Sequence, residues 1–193
     1  WDKMELLIKN CRIIDETKDY QGDIYIQDGK IKDCGKNLQY ECKTIKANNL
    51  VAMPSFIDMH VHFREPGYTY KEDIYTGSLA ALKGGYTFVN LMANTNPICS
   101  TMEVVDYVLN KSKELDLIDI HQVVSITKDF DGRTLDHLGS INNVKFISDD
   151  GKGVQSNLIM YNAMIKAKKM DLTIISHTED EEIVNIDTRL SEN

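Results

Sequence analysis

The stretch that decides the fold of this chain is Ser55-Phe56-Ile57-Asp58-Met59-His60-Val61-His62-Phe63-Arg64-Glu65-Pro66-Gly67. Its first part is apolar and β-prone, and the Arg-Glu-Pro-Gly at its end cannot continue a strand. Side chains two apart on a strand share a face, so His60 and His62 are predicted to aim both imidazoles at one point where the strand ends. This is an arrangement of metal ligands. The alternative is two histidines paired by chance on a half-buried strand.

Four motifs along the chain resemble those of the dihydroorotases of the amidohydrolase superfamily. The first is residues 54–67, where Ser55 replaces the family's usual Gly. The other three are Met92-Ala93-Asn94-Thr95-Asn96-Pro97, Phe146-Ile147-Ser148-Asp149-Asp150-Gly151 and Ser176-His177-Thr178-Glu179-Asp180. The second motif differs from the family pattern in having Ala93 for Pro. Because all four occur in order and at approximately the family's spacing, the resemblance is specific.

The resemblance implies a zinc site with one or two ions per subunit. Opening or closing an unactivated cyclic amide at neutral pH needs a nucleophile stronger than water, and Zn²⁺ provides one by lowering the pKa of bound water to about 7. By resemblance, His60 and His62 are ligands of the first ion, His177 is a ligand of a second, and Asp150 bridges the two. Taken without the other three motifs, His177 is better explained as a core histidine at a strand end.

The bridging ligand has to be chosen between Asp149 and Asp150. Neighbouring side chains on a strand point to opposite faces, so only one of the two can face the metal. The family pattern places the ligand on the second aspartate, which selects Asp150. The alternative is that the pair opens a turn before Gly151.

Arg64 and Asn94 resemble the family's clamp for the substrate carboxylate. A guanidinium can hold a carboxylate through two parallel hydrogen bonds, and an amide adds a neutral donor. The alternatives are a surface salt bridge from Arg64 to Glu65 or Glu72, and an Asx-turn by Asn94. A further His and a general-base Asp are expected on later strands, so no catalytic residue is assigned within this chain.

Other polar residues receive structural interpretations. His121 and His137 match no motif, and Lys145 precedes its strand end by too many residues to be a bridging lysine. Glu179 and Asp180 are candidates to orient the ring of His177 from its far side.

Composition restricts the class of protein. The chain has 193 residues, of which 42% are hydrophobic and 27% charged, as in soluble globular proteins. Without a long apolar segment or a signal peptide, it is predicted to be cytoplasmic and not bound to a membrane. The net charge of −8 argues against a nucleic-acid partner. Four scattered cysteines indicate reduced thiols.

The residues before Pro54 are strand-like, with a hairpin turn predicted at Asp28-Gly29. Residues 1–53 are therefore a small β module, which the resemblance makes half of a β-sandwich; the alternative is an independent β-meander. After Pro54, strands at 86–92, 119–126, 144–148 and 172–177 alternate with helices at 71–83 and 156–169 and one opened by a capping box at Ser100 and Glu103. This alternation predicts a parallel α/β sheet.

The polar motif residues fall at the carboxyl ends of these strands, and no Gly-x-Gly-x-x-Gly follows the first strand. Both observations favour a (β/α)8 TIM-type barrel of the metal-dependent hydrolases. Only about five strands are predicted, so residues 54–193 are expected to form the N-terminal part of an incomplete barrel. Residues 189–193 are predicted to begin a further helix.

The leading functional hypothesis is a dihydroorotase, which interconverts N-carbamoyl-L-aspartate and L-dihydroorotate in pyrimidine biosynthesis. A second is a hydantoinase, dihydropyrimidinase or allantoinase, whose uncharged substrates would leave Arg64 without a carboxylate. A third is an inactive dihydroorotase-like subunit that scaffolds a partner such as aspartate transcarbamoylase; such subunits typically lose metal ligands, whereas all four are present here. A homo-oligomer is also expected from the resemblance.

Overall fold

The computed structural model describes residues 4–180, and the helix predicted at 189–193 lies outside these described residues. The chain divides into two compact units, Trp1–Ser55 and Phe56–Asn193. Each has its own sheets and its own apolar core.

The N-terminal unit contains a mixed five-stranded sheet. Its strands are β1 (Glu5–Ile14), β2 (Asp19–Gln27), β3 (Lys30–Gly35), β4 (Lys43–Lys46) and β5 (Val51–Ala52). Strand β1 pairs antiparallel with β2 and parallel with β4 and β5, while β2 and β3 form an antiparallel hairpin. The hairpin turn predicted at Asp28-Gly29 is confirmed, and both turn residues have the positive φ that a two-residue hairpin loop favours. Cys11, Ile24 and Ala47 form the buried centre of this unit.

The second unit alternates short parallel strands with helices, which confirms the predicted α/β class. Its elements are β6 (Phe56–Val61), α1 (Ile74–Lys83), β7 (Tyr86–Leu91), α2 (Met102–Leu115), β8 (Asp119–Gln122), β9 (Phe146–Ile147), α3 (Asn157–Lys169) and β10 (Thr173–Ile174). Strands β6, β7 and β8 form one parallel sheet, and β9 pairs with β10 in parallel. A parallel bridge between Val124 and Ile147 continues this order from β8 to β9.

Strand β8 is shorter than predicted and ends at Gln122 instead of Ile126. Beyond it, Val123 donates its N–H to Leu91 O at 2.9 Å, whereas Val124 donates to Phe146 O at 3.2 Å. Successive residues thus bond to opposite neighbours, so the sheet pairing continues without a regular ladder.

The N-terminal caps of the three helices differ from the sequence prediction at one position. Helix α1 begins with a capping box between Asp73 and Thr76, and the Ser156 side chain caps α3. The capping box predicted at Ser100 is wrong, because Thr101 is the N-cap residue of α2. The Ser100 hydroxyl is buried, lies 2.8 Å from the hydroxyl of Ser125 and accepts the N–H of Asp129. It is therefore engaged elsewhere and cannot cap the helix.

Two apolar clusters hold the helices of the second unit against its strands. One includes Val105 of α2, Ile147 of β9 and Ala163 of α3. The other joins Ile74 of α1 to Val89 of β7. Because all five strands run in parallel, their carboxyl ends lie on one side of the unit. None of the helices between residues 4 and 180 has the length and apolar character of a membrane span.

Candidate metal centre

The end of β6 presents two imidazoles on one side of the sheet. His60 lies within the strand and His62 just after it, and their ring centroids are 5.1 Å apart. The N–H of His60 donates to the carboxylate of Asp58 at 3.0 Å, which fixes the backbone between these residues. The alternation of strand side chains therefore brings the two rings together, as the sequence pattern predicts.

Asp150 lies where the three predicted histidines meet. Its Oδ1 is 3.3 Å from His60 Nε2, and its Oδ2 is 3.4 Å from His62 Nε2. The Nδ1 of His177, which follows β10, lies 3.1 Å from Oδ1. His60, His62 and Asp150 form a group whose ligand atoms all lie within 4.8 Å of one another, as a metal site requires.

Asn94 accepts a hydrogen bond from His62, with 2.9 Å between Nδ1 and the side-chain oxygen. A neutral imidazole carries one proton, so a proton on Nδ1 leaves a lone pair on Nε2. That lone pair faces Asp150. The sequence interpretation considered Asn94 only as a substrate ligand or turn residue and missed this contact.

Glu179 has the corresponding position behind His177. Its carboxylate oxygen lies 2.7 Å from His177 Nε2, which leaves Nδ1 directed at Asp150. Glu179, one of the two candidates to orient this ring, therefore contacts it. A histidine that donates its second N–H to a carboxylate or carbonyl is typical of metal sites.

The donor set fits a divalent cation. A His62 tautomer protonated toward Asn94 and a His177 tautomer protonated toward Glu179 each present the lone pair of the other nitrogen to the carboxylate of Asp150. Such contacts repel unless a cation lies between them. Ligand atoms about 2.0–2.1 Å from a tetrahedral ion lie about 3.3–3.4 Å apart. The nitrogen–oxygen distances of 3.3 and 3.4 Å from His60 and His62 to Asp150 match this spacing.

The protonation of His62 favours the same role. Burial lowers its pKa, and the charges of Arg64 and His60 act in the same direction. The hydrogen bond to Asn94 and the charge of Asp150 oppose the shift without reversing it. The ring is therefore neutral at about pH 7, the form that binds a metal.

Arg64 lies on the loop that leaves β6. Its backbone is left-handed, with φ of +62°, a conformation that costs a residue other than Gly about 1 kcal/mol. Neither alternative carboxylate partner is used: Glu65 bonds to Lys111, and Glu72 accepts from Thr76. Among residues 4–180, Arg64 forms no ion pair, while its charge is close enough to lower the pKa of His62.

Asp149 points away from this centre and into the protein. Its carboxylate accepts the N–H of Ile126 at 2.7 Å, the N–H of Thr127 at 3.0 Å and the hydroxyl of Thr127. Burial raises the pKa of the carboxyl despite these donors. The two neighbouring aspartates thus face opposite directions.

The remaining histidines and Lys145 have structural partners. His121 Nδ1 lies 2.7 Å from Asn90 Oδ1, and its Nε2 accepts the N–H of Lys145. His137 Nε2 donates to the carbonyl of Ser125 at 3.0 Å. The side chain of Lys145 pairs with Asp171.

Sequence comparison identifies related proteins. The family described as "Dihydro-orotase-like" matches residues 49–189. A dihydroorotase of Clostridium botulinum is 54% identical over 98% of this chain and 49% of its own length. A dihydroorotase of Ligilactobacillus salivarius is 41% identical over 94% of this chain and 44% of its own length. This chain therefore spans about half the length of the curated relatives it matches.

Comparison with solved structures identifies a protein of similar fold. The L-hydantoinase (dihydropyrimidinase) of Arthrobacter aurescens superposes with a TM-score of 0.76 over 93% of this chain and 42% of its own length. At 21% identity the likeness concerns the fold alone. The described elements therefore share the fold of the matched part of that protein.

Proposed function

The chain belongs to the dihydroorotase family of the amidohydrolase superfamily, and from this premise we propose that it forms part of a zinc-dependent dihydroorotase. The proposed reaction is the reversible conversion of N-carbamoyl-L-aspartate to L-dihydroorotate. The observation that carries the proposal is the convergence of three histidines on Asp150 beside a loop that bears Arg64.

We propose that His60, His62, Asp150 and His177 hold one or two Zn²⁺ ions. A bound Zn²⁺ lowers the pKa of water to about 7 and polarises the amide carbonyl. Asn94 fixes the ring of His62 from behind, and Glu179 fixes that of His177, so each ring keeps its lone pair on the inner nitrogen. The mixed nitrogen and oxygen donors support Zn²⁺ as the ion.

Arg64 is proposed to bind the carboxylate of the substrate. Without an ion-pair partner among residues 4–180, its guanidinium is available for a bidentate contact. Asn94 is proposed to help with its amide NH₂, since its oxygen already accepts from His62. No residue between 4 and 180 is assigned as the general base.

The arrangement of residues 1–53 as half of a β-sandwich, and of residues 54–193 as the first part of a (β/α)8 barrel, belongs to the same proposal. It is supported by the succession of five parallel strands within residues 56–180 and by the likeness to a hydantoinase. Assembly into oligomers, association with aspartate transcarbamoylase and location in the cytoplasm rest on the family alone. The presence of all four proposed ligand residues, His60, His62, Asp150 and His177, argues against an inactive scaffold.

Replacement of Arg64 tests the substrate class. In the intact protein, Arg64→Ala should lower kcat/KM for dihydroorotate by about 30- to 1000-fold, because a charge-assisted pair is lost. Arg64→Lys keeps the charge but not the two parallel bonds, so it should recover only part of the activity. Zinc content should not change in either variant, whereas Asn94→Ala should reduce both zinc content and substrate affinity.

Hydantoin, assayed in parallel, provides the uncharged control. Its turnover should be insensitive to Arg64→Ala, because it has no carboxylate. If Arg64→Ala converts dihydroorotate as fast as the parent protein does, the clamp is refuted and a hydantoinase-type activity becomes the better proposal.

A further inference from the structure

Glu65, the residue after Arg64, is a buried carboxylate held by donors from two helices. Its side chain is 2% exposed. Oε2 accepts the N–H of Ile74, the first residue of α1, at 2.8 Å. Oε1 accepts from the Tyr107 hydroxyl at 2.6 Å and from the Lys111 ammonium, both on α2. The loop after β6 is thereby tied to the helices outside the sheet.

The same loop also lies directly against the segment that follows β7. Asn96 donates its N–H to the carbonyl of Pro66 at 3.0 Å. Gly67 crosses Asn96 so closely that a Cβ would lie 2.1 Å from the Asn96 carbonyl oxygen. Arg64 closes the turn by accepting the N–H of Tyr68 at 3.0 Å. The loops that carry Arg64 and Asn94 are therefore packed as one body.

Glu65 also determines which charges surround Arg64. As its immediate neighbour in the sequence, Glu65 offers a carboxylate that could pair with the guanidinium. Lys111 and the helix α1 N-terminus hold it inward instead, where its charge is compensated. The positive charge of Arg64 thus stays available to a bound anion.

We propose that Glu65 is a positioning residue for substrate binding. Its contacts with Ile74 and Lys111 hold the Arg64 backbone in its left-handed conformation and so direct the guanidinium toward the substrate carboxylate. The inference rests on the proposed function, since it assumes that Arg64 binds that carboxylate. The role goes beyond stability because one peptide unit joins the two residues, so a backbone change that withdraws the Glu65 carboxylate from Ile74 and Lys111 also alters the backbone of Arg64.

The test uses Glu65→Gln in the intact protein, with KM and kcat measured for dihydroorotate and for hydantoin. Loss of the charged anchor should raise KM for dihydroorotate about 10-fold while kcat falls less than about threefold, because substrate binding and not the chemical step is affected. Hydantoin kinetics and zinc content should not change. Lys111→Met should act in the same direction, and Lys111→Arg, which keeps a cation, should restore most of the affinity.

Tyr107→Phe is the milder variant, since it removes one neutral donor and keeps the ion pair. It should raise KM for dihydroorotate about two- to threefold. Should Glu65→Gln fail to fold, the KM values of Tyr107→Phe and Lys111→Met decide the question, with Lys111→Arg as the conservative control. Unchanged KM in Tyr107→Phe together with unchanged KM in Lys111→Met would overturn the proposal.

Asp23→Asn serves as the matched control. Asp23 is also a 2%-exposed carboxylate that accepts two backbone N–H groups, those of Asn10 and Leu38, but it belongs to the N-terminal unit. Its replacement should reduce stability without changing KM. A rise in KM equal to that of Glu65→Gln would show that the effect is general destabilisation and would overturn the proposal.

A double variant separates this inference from the proposed function. In an Arg64→Ala background, Glu65→Gln should have no further effect on KM, because the residue it positions is gone. If Arg64→Ala alone leaves dihydroorotate turnover intact, the clamp assignment fails and the positioning role fails with it, whereas the proposed function itself fails only if the parent protein does not convert dihydroorotate. If Arg64→Ala is impaired but Glu65→Gln is not, only the positioning role is refuted.

Discussion

Arg64-Glu65 and Asp149-Asp150 are pairs of adjacent residues in the loops that follow β6 and β9. In each pair one residue is a buried carboxylate that holds the loop in place, here called the anchor, and the other lies at the candidate site. Glu65 and Asp149 are each 2% exposed and accept backbone N–H groups. Their neighbours, Arg64 and Asp150, lie at the candidate site. The order is reversed, since the anchor comes second in the first pair and first in the second.

The two anchors differ in the charge of their partners. Burial raises the pKa of Glu65, but the Ile74 N–H, Lys111 and Tyr107 together outweigh it and lower the pKa below its usual value. The donors to Asp149 are neutral, and burial keeps its pKa raised. A buried carboxylate can thus organise a loop with or without a cation, but only the first arrangement favours the ionised form.

The largest expected effect comes from replacing each aspartate of the second pair in turn with asparagine. Asp150→Asn should reduce zinc content and activity by more than about 100-fold, the upper end of what loss of an outer partner costs. Asp149→Asn should keep zinc but lose about 1–3 kcal/mol of stability, because an amide NH₂ in place of one carboxylate oxygen cannot accept the buried hydroxyl of Thr127. Elemental analysis and urea unfolding measure the two effects. A folded Asp149→Asn protein without zinc would contradict this division.

A glycine in each loop distinguishes how tightly the two loops are packed. Gly67 and Gly151 have φ of +91° and +89°. The nearest atom to an added Cβ is the Asn96 oxygen at 2.1 Å for Gly67, but the Asn94 amide nitrogen at 3.6 Å for Gly151. Gly67→Ala should therefore cost about 3 kcal/mol by overpacking, whereas Gly151→Ala should cost about 1 kcal/mol for the backbone alone.

Urea unfolding of both glycine variants, compared with the parent protein, gives the two free energies. Equal losses of stability would show that the contact between Gly67 and Asn96 is not tight.

The smallest expected effect is the pH dependence of the stability that the Glu65 carboxylate contributes. Because its folded pKa is lowered, its contribution to stability is complete above the unfolded pKa of about 4.3 and is lost as pH falls through the folded pKa. Glu65→Gln should therefore cost about 2 kcal/mol at about pH 7 and progressively less below about pH 4. The measurement is urea unfolding of both proteins across this range. A cost that does not depend on pH would mean that the ionised form is not the one stabilised.

Strand periodicity and motif resemblance predicted much of this architecture. Alternation alone places His60 beside His62, and the turn chemistry of Asp28-Gly29 is local and specific. The orientation of Asp150 came from resemblance, since alternation shows only that one of two neighbours faces the site. The features that could be predicted from the sequence depend on interactions within a few residues or on a known motif.

Contacts between distant side chains could not be predicted in this way. Glu65 meets Tyr107 and Lys111 across 42 and 46 residues, and nothing in the local sequence of α2 indicates those partners. The same limit explains the error at Ser100, whose capping pattern is correct locally but whose hydroxyl is taken by Ser125, 25 residues away.

The meeting of His60, Asp150 and His177 joins the ends of β6, β9 and β10, the first and last parallel strands of the described chain. A cation held there would bind the folded chain in preference to the unfolded one, which cannot keep these groups together. By mass action, free metal at about 100 times its dissociation constant adds about 2.7 kcal/mol to the free energy of unfolding. Thermal unfolding would then report the free metal concentration, and a chelator would lower the unfolding midpoint without touching a single side chain.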